Sequence, residues 1–569
     1  MFRDLYAAEL EYLYGHAAEL GREQTRLSSM LGRDADAGVS RLAQTVAFLA
    51  ARLHQRLEDD LPDFIHPVVE SLRPWLLHPL PSATIVELVP DAAMKEAQVV
   101  AAQSVFTSRP VDGSPCIFRS TTEVHVRPWR LEAIEIGNER TEIRLRLSLL
   151  ADAVAGTFSG ALRLFFALPL AAALELRTTL LRSTASVVAR TPGGKSEVTL
   201  VSPDEPLRAG AAAASALTPE HADALFALRA YLAWPEQFAF VDVPNLDRLG
   251  SLGPKARAFE IVIRLASPLA KSLAFDASGV RLHAVPTVNV RGNVTKNAPL
   301  IRGRCALEIG DAQLYAFERV TVVHEDLSTR PARPYASVFP PAIGPDGRLP
   351  LLYRVERVPS VLGPELDVAL VFVDLAREGA ALRASSVDLD TLVTDGDRAV
   401  RVGVGEVCVP SPASPPLVSF RNVTPVTRSA PPVLEGDRLW QWFSLLKTPF
   451  WPLAERGALA RAIALVNVAA WARWPGSKPN AESFEGIVDV RASRLTRPGR
   501  DEVFPGARVE ITVDADRFSG PGDVDLLGEC VLNLFVSGLR EHEWVELVVR
   551  DPRGAGFEYP PRFGTRTDL

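Results

Sequence analysis

Residues 189–196 read ARTPGGKS and end like a phosphate-binding loop. Such a loop opens on glycine and runs into a helix whose first N–H groups meet the phosphate. Here the opening position is Ala189, and the strand-like EVTLVS follows. Pro192, Gly193 and Gly194 are good turn chemistry, so the stretch predicts a hairpin turn. The acidic run VDLDTLVTDGD, residues 387–397, raises calcium. A calcium loop needs oxygens at alternate positions, a glycine and a distal glutamate, but Leu392 and Val393 stand where ligands should. A strand closing on an Asp395–Gly396 turn fits better. His66 and His78 are twelve residues apart, with no second histidine or cysteine at ligand spacing. His125 alternates with Val124 and Val126, which suits a strand face, and His16 and His54 fall on helix surfaces. Neither HExxH, CxxC nor GxSxG occurs, and Gly403–Gly405 lacks the rest of a dinucleotide fingerprint. The expected catalytic, cofactor and metal residues are therefore none. Trp129, Trp440, Trp442 and Trp451 could line the sugar groove of a multi-domain carbohydrate-active hydrolase, and core packing accounts for them equally well.

The totals narrow the class. With 569 residues, of which 47% are hydrophobic, the chain is too long for one core, and two to four domains are expected. The net charge of −7 argues against a nucleic-acid scaffold. Cys116, Cys305, Cys408 and Cys530 are far apart, and so few in so long a chain fit a reducing compartment. The N-terminus carries Asp4, Glu9 and Glu11 in place of a basic start and apolar run, so no signal peptide is expected. The most apolar segment, Leu164 to Leu176, is interrupted by Pro169 and is too short to span a bilayer. The expectation is a soluble cytoplasmic protein without direct membrane insertion.

The elements that must position any site change texture along the chain. Residues 1–82 read as helical. In the second helix Leu42, Val46, Leu49, Leu53 and Leu57 form one apolar stripe at spacings of 4, 3, 4 and 4. Such a stripe needs a partner surface, and the pattern leaves open whether that lies in this chain or on another. The segment LPDFIHPVVESLRPWLLHPLPS, 61–82, sets Pro74, Trp75, Pro79 and Pro81 among large apolar residues. Prolines limit helix length and favour extended backbone before them, so the segment reads as a rigid joint.

After Ser82, short alternating runs rich in β-branched residues predict strands. Residues 83–210 read as a first β-rich module, 211–430 as a central β-rich or α+β region, and 431–569 as a mixed C-terminal module. Inserted helices are predicted after Pro169, over 218–235 with Thr218 as cap, and over VDLLGECVLNLFVSGL. The proline-rich stretch 328–350 predicts an exposed loop. The class is α+β and multi-domain.

Taken in order, these features resemble the TssF (VasA, ImpG) family of type VI secretion baseplate subunits. The second helix is similar at Arg41, Leu42, Ala47, Phe48, Leu49, Ala51, Arg52, Leu57, Asp59, Asp60 and Pro62. The joint is similar at Pro74, Leu77, Pro79, Pro81 and Ser82. Weaker likeness continues through LRAYLAWPEQFAFVDV (228–243), VRLHAVPTVNV (280–290), FPGARVEITVDADRFSG and LLGECVLNLFVSGL. Two places depart: the family's Thr-Asn-Arg is Thr394-Asp395-Gly396 here, and its Asn-Ser-Phe is replaced by Glu541 to Trp544. The resemblance implies a non-enzymatic wedge subunit with a phage-baseplate-like fold and an N-terminal core bundle. It implies assembly with a TssG-like subunit and further TssF copies around a VgrG-like spike, with TssK-like and TssE-like components beside them. It implies no cofactor and no nucleic acid. The wedge would lie in the cytoplasm, docked at the inner-membrane complex, as a platform for sheath and tube. A wedge role in a related phage-tail-like contractile machine is the alternative that the departures suggest.

Overall fold

The computed structural model describes residues 6–7, 9–13, 41–42, 44–52, 66, 68–70, 74–150, 159–194, 196–203, 205–210, 224–252, 257–335, 351–359, 366–374, 384–432, 440–442, 444–445, 448–467, 486–498 and 503–566. The class is α+β, with several sheets joined by a few helices.

Strands distant in sequence share the first sheet. Its order is Val418–Asn422, Ala83–Pro90, Ala284–Val288, Ser114–Ser120 and Val105–Val111, all antiparallel. Ala83–Pro90 is buried along most of its length, as a strand covered on both faces requires. A second five-stranded sheet runs Glu197–Val201, Thr184–Arg190, Ala258–Leu265, Glu142–Leu149 and Trp129–Ile136. A four-stranded sheet of Arg208–Ala209, Phe240–Val243, Leu162–Phe166 and Val280–Leu282 contributes to the same apolar core, with Ala173, Leu176 and Leu180 of the helix Leu170–Ser183.

A seven-stranded sheet holds its own core around Val320, Val322, Leu351, Leu370, Val387 and Leu389. Part of the stretch expected as an exposed loop belongs to it. Thr329–Pro334 is a strand, antiparallel to Gln313–His324 and parallel to Leu351–Pro359. The proline φ is compatible with extended backbone, and the neighbouring strands supply the pairing that loop chemistry alone does not reveal. Residues 336–350 lie outside the described residues.

The C-terminal sheet is Ile487–Pro498, Val503–Val513, Trp544–Arg550 and Gly556–Phe563. Val503–Val513 and Trp544–Arg550 are parallel, so the chain must cross over between them, and the helix Pro521–Gly538 makes that crossing. Pro521 starts this helix at a position where its missing N–H costs nothing. Gly522 lets the helix approach the helix Leu170–Ser183 backbone to backbone. A Cβ there would sit 2.3 Å from the Leu174 carbonyl carbon.

The helices expected from sequence are present at Leu170–Ser183, Ala224–Ala233 and Pro521–Gly538. The Thr218 cap lies outside the described residues.

Candidate functional site

The joint is built first by its prolines. Pro74–Leu77 forms a single 3-10 turn, and Trp75, Leu76 and Leu77 are buried. Pro79 and Pro81 are buried too, and Leu80 bridges to Ala430, across 350 residues of chain. The turn packs into the C-terminal core with Trp442, Leu453, Ile463, Val531 and Phe535, although the chain goes next into the first sheet. Trp75 meets Phe226 edge-on at 5.2 Å and Trp442 at 6.0 Å. From the helix Ala224–Ala233, Arg229 places its guanidinium 5.6 Å over the Trp75 ring and donates from Nη1 to the Trp75 carbonyl at 3.1 Å. Pro74, Trp75, Pro79 and Pro81 therefore converge on one place, between the N-terminal segment, the central helix and the C-terminal core.

His78 packs against Tyr315 with ring centroids 4.8 Å apart and the planes tilted by 49°. Burial, then the guanidinium groups of Arg357 and Arg229, lower its pKa to about 3, so the imidazole is neutral at physiological pH. His283 likewise falls to about 3, through burial and then Arg127, and its Nε2 accepts from the Arg127 N–H at 3.2 Å. His283 is buried and His78 half-buried, each in a structural environment.

The N-terminal helix presents a different surface. Residues 44–52 are helical, and Ala47 and Ala51, one turn apart, are fully buried. The larger apolar residues face out: Leu42 is 65% exposed, Val46 44% and Leu49 61%, with Phe48 also exposed. Leu53 and Leu57 of the same stripe lie outside the described residues. A row of large apolar side chains left in water beside a buried alanine row is the reverse of a helix finished by its own core.

The other sequence candidates resolve into scaffold. Thr184–Arg190 and Glu197–Val201 pair antiparallel, and Gly193 and Gly194 have φ of 87° and 69°, so ARTPGGKS is the hairpin turn. Ala384–Thr394 is a strand, and Gly396, at φ 56°, turns it into a 3-10 helix. Among the described residues no three His, Cys, Asp or Glu side chains group as metal ligands, and the four cysteines are free. Trp129 is buried against Phe259 in the core of the second sheet, whereas Trp442 and Trp451 belong to the C-terminal core. Trp440 is exposed.

Two buried polar networks escaped the sequence. Asp395 is buried and accepts from Asn289 Nδ2 at 2.9 Å, from Arg291 Nε at 3.3 Å and from Arg398. Thr394 Oγ1 donates to Asn289 Oδ1 at 3.0 Å, and Asn289 Nδ2 also reaches the Ile117 carbonyl at 2.9 Å. The cluster fastens the first sheet to the seven-stranded sheet. The second network fastens the helices. Tyr231 Oη donates to Asp523 at 2.6 Å, while Asp525 accepts from Thr178 at 2.8 Å, Arg182 at 2.6 Å and Tyr559 at 2.8 Å. Burial raises the Asp523 pKa against the lowering effect of Tyr231. The signals for the networks were acids whose partners lie far away in the chain, such as Asp395 in VDLDTLVTDGD and Asp523 and Asp525 in PGDVDLLGEC.

Geometry thus offers a multi-sheet body, a buried proline-flanked turn and an exposed apolar helix row. Over its whole length the chain is 25% identical to the type VI secretion system component TssF1 of Pseudomonas aeruginosa, 99% of which is covered. In fold it matches a chain of the type VI secretion TssK-TssF-TssG baseplate subcomplex, with a TM-score of 0.74 at 23% identity, over 92% of this chain and 99% of that one. It also matches a chain of the type VI secretion baseplate complex, with a TM-score of 0.63 at 19% identity over the full length of both. The sequence model for the type VI secretion system TssF family matches residues 1–566, and the chain belongs to that family.

Proposed function

We propose that this chain is a structural wedge subunit of a type VI secretion baseplate, and that it docks to a TssG-like partner through the exposed apolar row of its N-terminal helix. The observation that carries this reading is the exposure of Leu42, Val46 and Leu49 beside the buried Ala47 and Ala51. Each large aliphatic side chain contributes roughly 1.5–3 kcal/mol when taken fully out of water, before the costs of association. Leu53 and Leu57 would extend the row by two further turns at the same spacing. Pro74, Trp75, Pro79 and Pro81 would then set the angle between this helical segment, residues 1–82, and the β-rich body.

Several features support the wider assembly. The fold neighbours come from baseplate complexes, one of which contains TssK and TssG. Among the described residues no helix is long and apolar enough to cross a membrane. The proposal places the subunit in the cytoplasm, reaching the inner-membrane complex through TssK-like components. Further copies of the chain, a TssE-like component and a VgrG-like spike complete its partners. Its task is mechanical, with no catalysis and no cofactor. Co-expression with a TssG-like protein tests the reading. The expected result is a stable complex on size-exclusion chromatography with light scattering, and failure of the two chains to associate contradicts it.

A further inference from the structure

The joint encloses a cavity of about 60 Å³, walled by Trp75, His78, Phe226, Arg229, Trp234 and Tyr315. Its walls are mostly apolar, yet three nitrogens around it are buried and unpartnered among the described residues: Trp75 Nε1, His78 Nδ1 and Arg229 Nε. Arg229 is the unusual member. It is 5% exposed, and among the described residues its one hydrogen bond goes to a backbone carbonyl. Among the described residues no carboxylate pairs with it. Glu70 acts on Arg357 instead. The group that does act on Arg229 is the Tyr315 phenol, which burial holds neutral with a pKa of about 12.

A guanidinium withdrawn from water without a counter-ion is costly, and its pKa accordingly falls to about 10. Trapped water satisfies N–H donors but supplies no opposite charge. Among the described residues, the piece missing beside Arg229 is an anion. Arg229 and Trp75 both line the cavity and carry unpartnered N–H donors of the kind a carboxylate accepts from, and the apolar walls suit an aliphatic stem. At roughly 10–15 Å³ for each water, a cavity of about 60 Å³ takes several waters, or a carboxylate on a stem of two or three carbons. Phosphate recognition, in contrast, uses clusters of cations and a wetter site.

We propose that this cavity is a binding site for a carboxylate carried on a short apolar stem. The ligand is either a free small organic acid or an acidic side chain or chain end from an assembly partner, since both present the same group. The site stands on Arg229 and its surroundings, independently of the wedge assignment.

Butyrate is the probe, with butyramide as its uncharged isostere and chloride at matched ionic strength as control. The melting temperature of the full-length chain is expected to rise by several degrees in millimolar butyrate and to stay unchanged in the two controls. Arg229→Met should abolish the response. Ala233→Leu, which fills the cavity while leaving Arg229 in place, should abolish it too, and it serves if the first variant does not fold. Absence of a butyrate-specific shift in the wild-type chain overturns the proposal, as does its survival in both variants. The same titration on the complex with the TssG-like subunit separates the sources. A response lost in the complex assigns the site to a protein carboxylate, and one retained assigns it to a free acid.

Discussion

Asn289 and Asp395 hold each other reciprocally across 106 residues of chain. Asn289 Nδ2 donates to the Asp395 carboxylate at 2.9 Å, and Asn289 Oδ1 accepts from the Asp395 backbone N–H at 2.8 Å. Both residues are buried, and they sit where the first sheet meets the seven-stranded sheet. Asn289→Ala leaves a charged acceptor and a backbone donor short of partners, and should cost about 2–3 kcal/mol in denaturant unfolding. Asp395→Ala should cost a similar amount. The double variant should fall short of the sum by more than about 1 kcal/mol, because the two substitutions remove one network.

Gly522 tests the close approach of two helices. A Cβ at this position would lie 2.3 Å from the Leu174 carbonyl carbon and 2.4 Å from the Glu175 nitrogen, where backbone cannot give way as a flexible side chain can. Gly522→Ala should destabilise the chain by about 2–3 kcal/mol, although alanine is otherwise the better helix former. Thermal melting of the variant measures this, and a stabilised variant contradicts the close approach.

Trp75 links three parts of the chain at the joint. Trp75→Ala removes its contacts with Phe226 and Trp442 and takes away the ring beneath Arg229. The expected loss is about 3–5 kcal/mol, in line with large-to-small substitutions in cores. Trp75→Phe should recover most of it, since the edge-on contacts survive.

His78 and His283 predict acid sensitivity. In the folded chain His78 and His283 have pKa values of about 3, below the ordinary value of 6.5, so the unfolded state takes up protons first. Their stabilising contribution is complete above about pH 6.5 and is lost as pH falls towards 3. At pH 5 each histidine should have cost about 2 kcal/mol. His78→Phe keeps the ring against Tyr315, and His283→Asn tolerates the φ of 53° at that position. Unfolding free energy followed from pH 7.5 to 5 should fall less steeply in the double variant than in the wild type.

Much of the scaffold was legible from local pattern. Alternation marked the strands around Ala258–Leu265 and Trp544–Arg550, and apolar spacing marked the helix Pro521–Gly538. Turn chemistry was enough to separate ARTPGGKS from a phosphate loop. What local pattern could not carry was partnership at long range. Ala83–Pro90 reads as an ordinary strand, and nothing near it tells that it pairs with both Ala284–Val288 and Val418–Asn422. Thr329–Pro334 looked like loop because its prolines dominate the local signal, and its pairing comes from neighbours on both sides. The proline joint was visible as a stiff apolar segment. Its burial in the C-terminal core, and the Arg229 guanidinium beside it, depend on residues far away in the chain. The apolar stripe was visible too, but only the structure tells that Leu42, Val46 and Leu49 face outward while the alanines face in.

That outward row carries the docking proposal, and affinity for the TssG-like subunit is its sharpest test. Leu42→Glu with Leu49→Glu places two charges on side chains that are already exposed, so the free chain should keep its melting temperature within a degree or two. Because the two side chains are 65% and 61% exposed in the free chain, loss of roughly 1–2 kcal/mol of burial at each site predicts at least about twentyfold weaker binding by calorimetry or interferometry. Wild-type affinity in a normally folded double variant would contradict the docking role of this helix.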